Sequence, residues 1–90
     1  MNFIALKITG KVQRVWFRQS TLKKAEELDI KGIVMNMPDG TVYIEAESDN
    51  DSNYNVFLSW CNEGPDDAIV EKVEKIPSVK KGYKKFQVVY

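Results

Sequence analysis

Two segments whose apolar side chains repeat with different periods meet at Gly10-Lys11-Val12-Gln13-Arg14-Val15-Trp16-Phe17-Arg18. Residues 3–9, before this segment, alternate apolar and polar side chains, which predicts a half-buried strand. Residues 19–29, after it, space their apolar side chains as an amphipathic helix does. Such a strand-to-helix turn gathers backbone N–H groups and the positive end of a helix dipole around one small space. The segment is therefore a candidate anion-binding turn, to which Arg18 can add a planar fork of hydrogen-bond donors.

The composition is that of an ordinary globular protein, with 43% hydrophobic and 29% charged residues among 90. This length allows one modest core, so we expect a single domain over residues 1–90. The sequence has one cysteine, Cys61, and no histidine. The single cysteine excludes an intrachain disulfide, and the lack of histidine excludes Ser–His and Cys–His nucleophile pairs and most transition-metal sites. With no basic leader and no apolar run of membrane-spanning length, a cytoplasmic protein is the default expectation.

The formal net charge is zero, but the charges are unevenly distributed along the chain. Residues 1–35 carry a net charge of +4, residues 36–71 of −9 and residues 72–90 of +5. The zero total argues against broad electrostatic binding to nucleic acid or to anionic lipid. The candidate anion site lies in the basic N-terminal third, and we expect the acidic middle to face elsewhere as solvated surface.

Two predicted strands, residues 32–36 and 41–47, flank the turn Met37-Pro38-Asp39-Gly40 and form a β-hairpin. In the second of these strands the alternation places Glu45 and Glu47 on the outward, polar face. Gly32 is a candidate left-handed residue at the exit of the first helix.

A second amphipathic helix is predicted between the hairpin and Gly64-Pro65, where glycine and proline end it. Its apolar stripe, at positions i, i+3, i+4 and i+7, consists of Tyr54, Phe57, Leu58 and Cys61. Its N-cap candidates are Asp49, Asp51 and Ser52.

Residues 68–76 are predicted to form a strand whose broken alternation indicates a bulge, and residues 86–90 form a short final strand. Residues 77–85 between them have the composition of a polar loop. The lysines of this loop, expected to be solvated, are Lys80, Lys81, Lys84 and Lys85. The order is thus β-α-β-β-α-β with an extra β. Right-handed crossovers place both helices on one face of an antiparallel sheet, which is an α+β, ferredoxin-like α/β sandwich.

In this arrangement Asn36 ends the second strand close to the anion-binding turn, because a crossover helix joins the first two strands. Backbone amides and a guanidinium hold phosphoryl oxygens and neutralise the charge that develops on them. A carboxamide positions a water for in-line attack without titrating. Since the leaving group of an acyl phosphate is a carboxylate, no strong general acid is needed. This constellation therefore suits hydrolysis at phosphorus.

The sequence resembles the acylphosphatase family over nearly its whole length. The phosphate-loop signature of that family, Gly-x-Val-Gln-Gly-Val-x-Phe-Arg, is matched by Gly10, Val12, Gln13, Val15, Phe17 and Arg18. Its second signature, a glycine followed by a strand that ends in asparagine, is matched by Gly32, Val34 and Asn36. Matches outside the signatures, in the correct order, are Thr21, Ala25, Leu28, Asp39-Gly40-x-Val42, Trp60, Gly64-Pro65-x-x-Ala68-x-Val70 and Phe86-x-Val88-x-Tyr90.

The resemblance implies hydrolysis of acyl phosphates to a carboxylate and inorganic phosphate, without cofactor or metal. It also implies that Arg18 binds the phosphate and that Asn36 orients the nucleophilic water. The phosphate-binding loop that it implies consists of Val12, Gln13, Arg14, Val15, Trp16, Phe17 and Arg18. The implied partner is a small-molecule acyl phosphate; we expect neither a nucleic acid nor a membrane partner, and a monomeric protein.

Arg14 departs from the family signature, which has glycine at this position. Glycine tolerates positive φ and allows the backbone to approach phosphate closely, whereas a left-handed arginine costs about 1 kcal/mol or more. Either the loop keeps this conformation under strain or it takes another path, and Arg14 either adds a positive charge or blocks the anion. The alternative function is therefore a catalytically weakened acylphosphatase-like domain that binds anions or serves as an interaction module.

RNA binding is a third hypothesis, because RNA-recognition domains share the β-α-β-β-α-β order. Those domains need paired aromatic residues on central strands and a basic sheet surface. The third strand here offers only Tyr43 beside Glu45 and Glu47, so the sequence disfavours nucleic-acid binding.

Overall fold

The computed structural model describes residues 2–90, and its helices and strands follow the predicted order. The elements are β1 (Asn2–Lys11), α1 (Phe17–Glu27), β2 (Lys31–Asn36), β3 (Val42–Ser48), α2 (Asp51–Glu63), β4 (Ile69–Ile76) and β5 (Phe86–Val89). Within residues 2–90, no helix is long and apolar enough to cross a membrane.

The five strands form one sheet in the order β4-β1-β3-β2-β5. β1 pairs antiparallel with β3 and β4, and β2 pairs antiparallel with β3. The predicted antiparallel arrangement therefore holds for four strands. β5 differs, because the chain crosses from the β4 edge to the opposite edge and joins β2 in parallel, with Met35 opposite Val89. This parallel register places Tyr90 beside the end of β2, next to Asn36.

Both helices pack on one face of the sheet, as predicted. On that face the register aligns Leu6 and Val34 with Ile44 across three neighbouring strands, and all three side chains are buried. Phe17 of α1 and Phe57 of α2 belong to the same core cluster and contribute to it from the helix side. Burial of each such side chain contributes about 1.5–3 kcal/mol, so this layer fixes the start of α1 against the sheet.

The predicted bulge lies where β4 pairs with β1. The register shifts between Thr9, opposite Lys72, and Gly10, opposite Val70, so that Glu71 is the extra residue on β4. Gly10 has φ +137°, and a Cβ atom there would lie 2.0 Å from the carbonyl oxygen of Ile69. Only glycine therefore fits where β1 runs into the candidate anion-binding turn.

Two helix-terminus predictions are wrong. The left-handed residue after α1 is Asp29, with φ 54°, whereas Gly32 lies inside β2 opposite Ala46. Gly32 is needed there because a Cβ atom would lie 1.8 Å from the carbonyl oxygen of Glu45. The N-cap of α2 is Asn50, whose side chain accepts a hydrogen bond from the backbone N–H of Asn53 at 2.9 Å, in place of the aspartates and serine expected from the sequence.

The expectation that Glu45 and Glu47 point into solvent is also wrong, since they are only 5% and 4% exposed. Residues 77–85, here called the covering loop, fold over the sheet face opposite the helices. Lys81 Nζ lies 2.8 and 2.6 Å from the two carboxylate oxygens of Glu45, so this lysine is paired rather than solvated. Glu47 accepts the backbone N–H groups of Lys81, Gly82 and Tyr83 at 2.6, 3.3 and 3.0 Å.

Candidate active site

The loop between β1 and α1 keeps the backbone conformation that glycine would favour at position 14. Arg14 has φ 64°, and Trp16, two residues on, has φ 62°. Left-handed residues alternating with others turn successive N–H groups toward one concavity. Among residues 2–90, the backbone N–H groups of residues 13–17 have no hydrogen-bond acceptor. These groups are therefore available to an anion.

The first turn of α1 adds further donors. The helix begins at Phe17 with Trp16 as its N-cap, and the Trp16 side chain makes no capping hydrogen bond. No acidic residue occupies the first turn. The N–H groups and the positive dipole end of the helix are thus left for a ligand, and Arg18, in the same turn, adds a guanidinium.

Gln13 connects this loop to the β2–β3 turn. Its side-chain Nε2 donates to the carbonyl oxygens of Met37 and Thr41, both at 2.9 Å. Because Met37 directly follows Asn36, these hydrogen bonds hold the loop and Asn36 in a fixed relation.

The β2–β3 turn is itself ordered by Asp39. The Asp39 carboxylate accepts the Thr41 hydroxyl at 2.6 Å and the Thr41 backbone N–H at 3.0 Å, and Lys7 Nζ lies 3.3 Å away. The hydrogen bonds from Thr41, assisted by Lys7, lower the pKa of Asp39. These contacts favour the ionised form of the Asp39 carboxyl and tie it to Thr41 within the turn that follows Asn36.

A cavity of about 390 Å³ opens between the loop, the start of α1 and the end of β2. Its lining residues are Val12, Arg14, Trp16, Phe17, Arg18, Gln19, Asn36 and Tyr90. The structure thus brings Arg18 and Asn36 to one space although 18 positions separate them in sequence. Among residues 2–90, no Asp or Glu side chain lines the cavity, which agrees with the expectation that the acidic middle of the chain faces elsewhere.

Two residues of the predicted loop do not line this cavity with their side chains. Gln13 turns toward the β2–β3 turn, and Val15 is buried in the core with 8% exposure. Their contribution to an anion site is limited to their backbone N–H groups, whereas Val12, Arg14, Trp16, Phe17 and Arg18 line the cavity.

Sequence reasoning missed Gln19 and Tyr90. The Arg18 guanidinium lies over the Tyr90 ring, 4.8 Å from its centroid, and Gln19 Nε2 donates to the Tyr90 hydroxyl at 3.0 Å. The family-like ending that includes Tyr90 was visible in the sequence, but only the parallel pairing of β5 with β2 brings that ending to the site.

Comparisons with known proteins identify the family and agree with the fold. The family model described as acylphosphatase matches residues 4–88. The acylphosphatase of Archaeoglobus fulgidus is 44% identical over 90 residues, which is 100% of both chains. The solved structure of an acylphosphatase from Coxiella burnetii superimposes with a TM-score of 0.89 at 37% identity, covering 97% of this chain and 90% of that one. The Bacillus subtilis acylphosphatase structure gives a TM-score of 0.92 at 26% identity over the full length of both chains.

The fold and the loop together define a ferredoxin-like α+β protein whose first strand-to-helix turn carries backbone N–H groups that have no acceptor among residues 2–90. The chain belongs to the acylphosphatase family. The enzyme class predicted from the sequence, a hydrolase acting on acyl phosphates, is thereby confirmed.

Proposed function

We propose that this chain hydrolyses its acyl phosphate substrate in the cavity between the β1–α1 loop and Asn36, with Arg18 and Asn36 as the catalytic residues. The observation that carries this proposal is that both residues line one cavity, although they come from different elements. The backbone N–H groups of residues 13–17, in the loop that carries Arg14 and Trp16, have no acceptor among residues 2–90, which supports an anion-binding role for this loop.

Arg18 and the loop N–H groups bind the phosphoryl group. A guanidinium offers two parallel donors to phosphoryl oxygens, and the acceptor-free backbone N–H groups of the loop add further donors. Charge on these oxygens changes as the bond to the leaving group breaks, so fixed donors lower the barrier without reorganising. The Tyr90 ring beneath the guanidinium limits the directions in which Arg18 can point.

Asn36 orients the attacking water. Its carboxamide both accepts and donates hydrogen bonds and does not titrate, so it can hold a neutral water in line with the phosphorus. The water oxygen forms the new bond to phosphorus, and the bond from phosphorus to the acyl oxygen breaks. The carboxylate leaves with the electron pair, and the protons of the water remain with inorganic phosphate or pass to solvent.

We also propose that residues 1–90 act as one monomeric domain, located in the cytoplasm, without a nucleic-acid partner. Cys61 is the lone cysteine of residues 1–90 and is buried and unpaired, so these residues contain no disulfide, which is typical of a reducing compartment. The covering loop occupies the sheet face that RNA-recognition domains leave open, which supports the absence of an RNA partner. Light scattering after size exclusion tests the monomer, with 10.3 kDa expected and twice that mass contradicting it.

Isotope tracing during hydrolysis of benzoyl phosphate tests the reaction. We expect the chain to release phosphate, and in ¹⁸O-labelled water we expect the label in inorganic phosphate rather than in benzoate. Label in benzoate would show attack at the carbonyl carbon and contradict the proposed site chemistry. A folded chain that binds phosphate without turnover would favour the weakened, anion-binding alternative.

A further inference from the structure

Arg14 is a second cation that lines the cavity, beside Arg18. Of the residues that the structure describes, these two alone bring a charged side chain to the lining, and no Asp or Glu balances Arg14 there. Within residues 2–90, Arg14 forms no salt bridge and no side-chain hydrogen bond, and its side chain is exposed. The fold therefore makes no use of this guanidinium, which leaves it available to a ligand.

The backbone at this position retains strain. A left-handed conformation costs an arginine about 1 kcal/mol or more, and glycine would avoid that cost. The structure nevertheless keeps φ of Arg14 at 64°, and Arg14 lines the cavity. Strain retained at a cavity-lining residue, without a structural partner, points to a role in ligand binding.

We infer that Arg14 binds a second anionic group, carried by the acyl portion of the substrate, so that this enzyme prefers acyl phosphates whose acyl group bears a carboxylate. This inference rests on the proposed function, in which the loop N–H groups and Arg18 hold the phosphoryl group. Arg18 is restrained over Tyr90 in the first turn of α1, whereas Arg14 belongs to the preceding loop. The two guanidinium groups are thus carried independently, and a planar fork matches a carboxylate well.

The expected preference is moderate, because Arg14 is exposed. Solvent-exposed ion pairs are weak, so we expect loss of the Arg14 charge to change selectivity about three- to fivefold. Added salt should reduce the preference as well, since the screening length falls from about 10 Å at 0.1 M to about 3 Å at 1 M ionic strength.

The experiment compares two para-substituted benzoyl phosphates, 4-carboxybenzoyl phosphate with a charged substituent and 4-methylbenzoyl phosphate with a neutral one. The readout is the ratio of their kcat/KM values, because the intrinsic reactivity of the two substrates then cancels between variants. Arg14→Gln and Arg14→Gly both remove the charge, but only the glycine variant relieves the backbone strain. Lys11→Gln is the matched control, since it removes an exposed cation that does not line the cavity.

We expect the ratio to fall three- to fivefold in both Arg14 variants and to stay unchanged in Lys11→Gln. An equal loss of kcat/KM on both substrates, with an unchanged ratio, would show that Arg14 acts on the phosphoryl group and would overturn the inference. A fall in the ratio as large in Lys11→Gln as in Arg14→Gln would also overturn it. If the unaltered chain hydrolyses neither substrate, the proposed function fails, and the inference fails with it.

Discussion

The guanidinium of Arg18 lies over the ring of Tyr90, with 4.8 Å between the guanidinium carbon and the ring centroid. Gln19 Nε2 donates to the Tyr90 hydroxyl at 3.0 Å, so both residues of α1 hold the same ring. Tyr90 is otherwise 88% exposed and packs into no core. The ring therefore restrains the orientation of Arg18 and contributes little to the stability of the fold.

Tyr90 is expected to act as a positioning residue. A cation–π contact at an exposed site contributes about 0.5–1 kcal/mol, so Tyr90→Ala should raise the KM for benzoyl phosphate about two- to fivefold. Tyr90→Phe keeps the ring and loses only the hydroxyl, so its KM should stay near that of the unaltered chain. Steady-state phosphate release measures the KM of both variants, and urea unfolding checks that both keep the stability of the unaltered chain. Equal KM values in all three proteins would contradict this role.

Gln13 is expected to support catalysis indirectly, by holding Met37 and hence Asn36. Gln13→Met keeps the length of the side chain and removes both donors to the Met37 and Thr41 carbonyls. We expect a stability loss of about 1 kcal/mol, and a fall in kcat of about three- to tenfold as Asn36 loses its fixed position. Gln87→Met, at an exposed position on β5, is the control. Unchanged kcat in Gln13→Met would show that Asn36 needs no such tether.

The left-handed conformation of Arg14 predicts a difference between two uncharged variants. Arg14→Gly and Arg14→Ala both lose the guanidinium, but only glycine adopts φ near 64° without cost. The glycine variant should therefore unfold at higher urea concentration, with a free energy of unfolding about 1 kcal/mol above that of the alanine variant. An alanine variant as stable as the glycine variant would mean that the loop relaxes to another path.

The buried Glu45 predicts loss of stability in acid. Burial alone would raise the pKa of this carboxyl, but hydrogen bonds from Lys81, Tyr43 and Tyr83 outweigh it, so that the folded-state pKa lies below the ordinary 4.5. The ionised form is therefore favoured by folding, and its contribution to stability is present above about pH 4.5 and is lost as the pH falls through the folded-state pKa.

Glu45→Gln tests this dependence. Because Lys81 is half-exposed, we expect the variant to lose only about 1–2 kcal/mol at pH 7. The difference between the two proteins should shrink as the pH is lowered, since the unaltered carboxyl then becomes neutral as well. Urea unfolding of both proteins across pH 3–7 measures this difference in the free energy of unfolding. A constant difference over this range would show that ionisation of Glu45 contributes nothing to stability.

The apolar pattern of each segment and the handedness of the crossovers were sufficient to predict the helices and strands and the proximity of Asn36 to the loop after β1. Burial on one face sets the alternation that places Leu6 and Ile8 inward and the helical spacing of Phe17, Thr21 and Ala25. Both patterns can be read directly from the sequence. A right-handed β-α-β unit then brings Asn36 beside the loop that follows β1, without any long-range information.

The features that could not be predicted depend on contacts between segments that lie far apart in the sequence. A strand as short as β5 carries no signal for its neighbour, so nothing in the sequence indicated that Tyr90 lies beside Asn36. Period-two alternation places Glu45 and Glu47 on the face opposite the helices, but it cannot tell whether solvent or another segment covers that face. Here the covering loop does so, with its backbone N–H groups on Glu47.

The roles of Arg18 and Asn36 are tested most directly by Asn36→Ala and Arg18→Gln in phosphate release from benzoyl phosphate. Asn55→Ala, an exposed asparagine on α2, serves as the control for Asn36. We expect Asn36→Ala to lower kcat by on the order of 100-fold or more while phosphate still binds, because only the water has lost its partner. Arg18→Gln should both raise KM and lower kcat, and Asn55→Ala should match the unaltered chain. Turnover at the unaltered rate in either Asn36→Ala or Arg18→Gln would contradict the proposed active site.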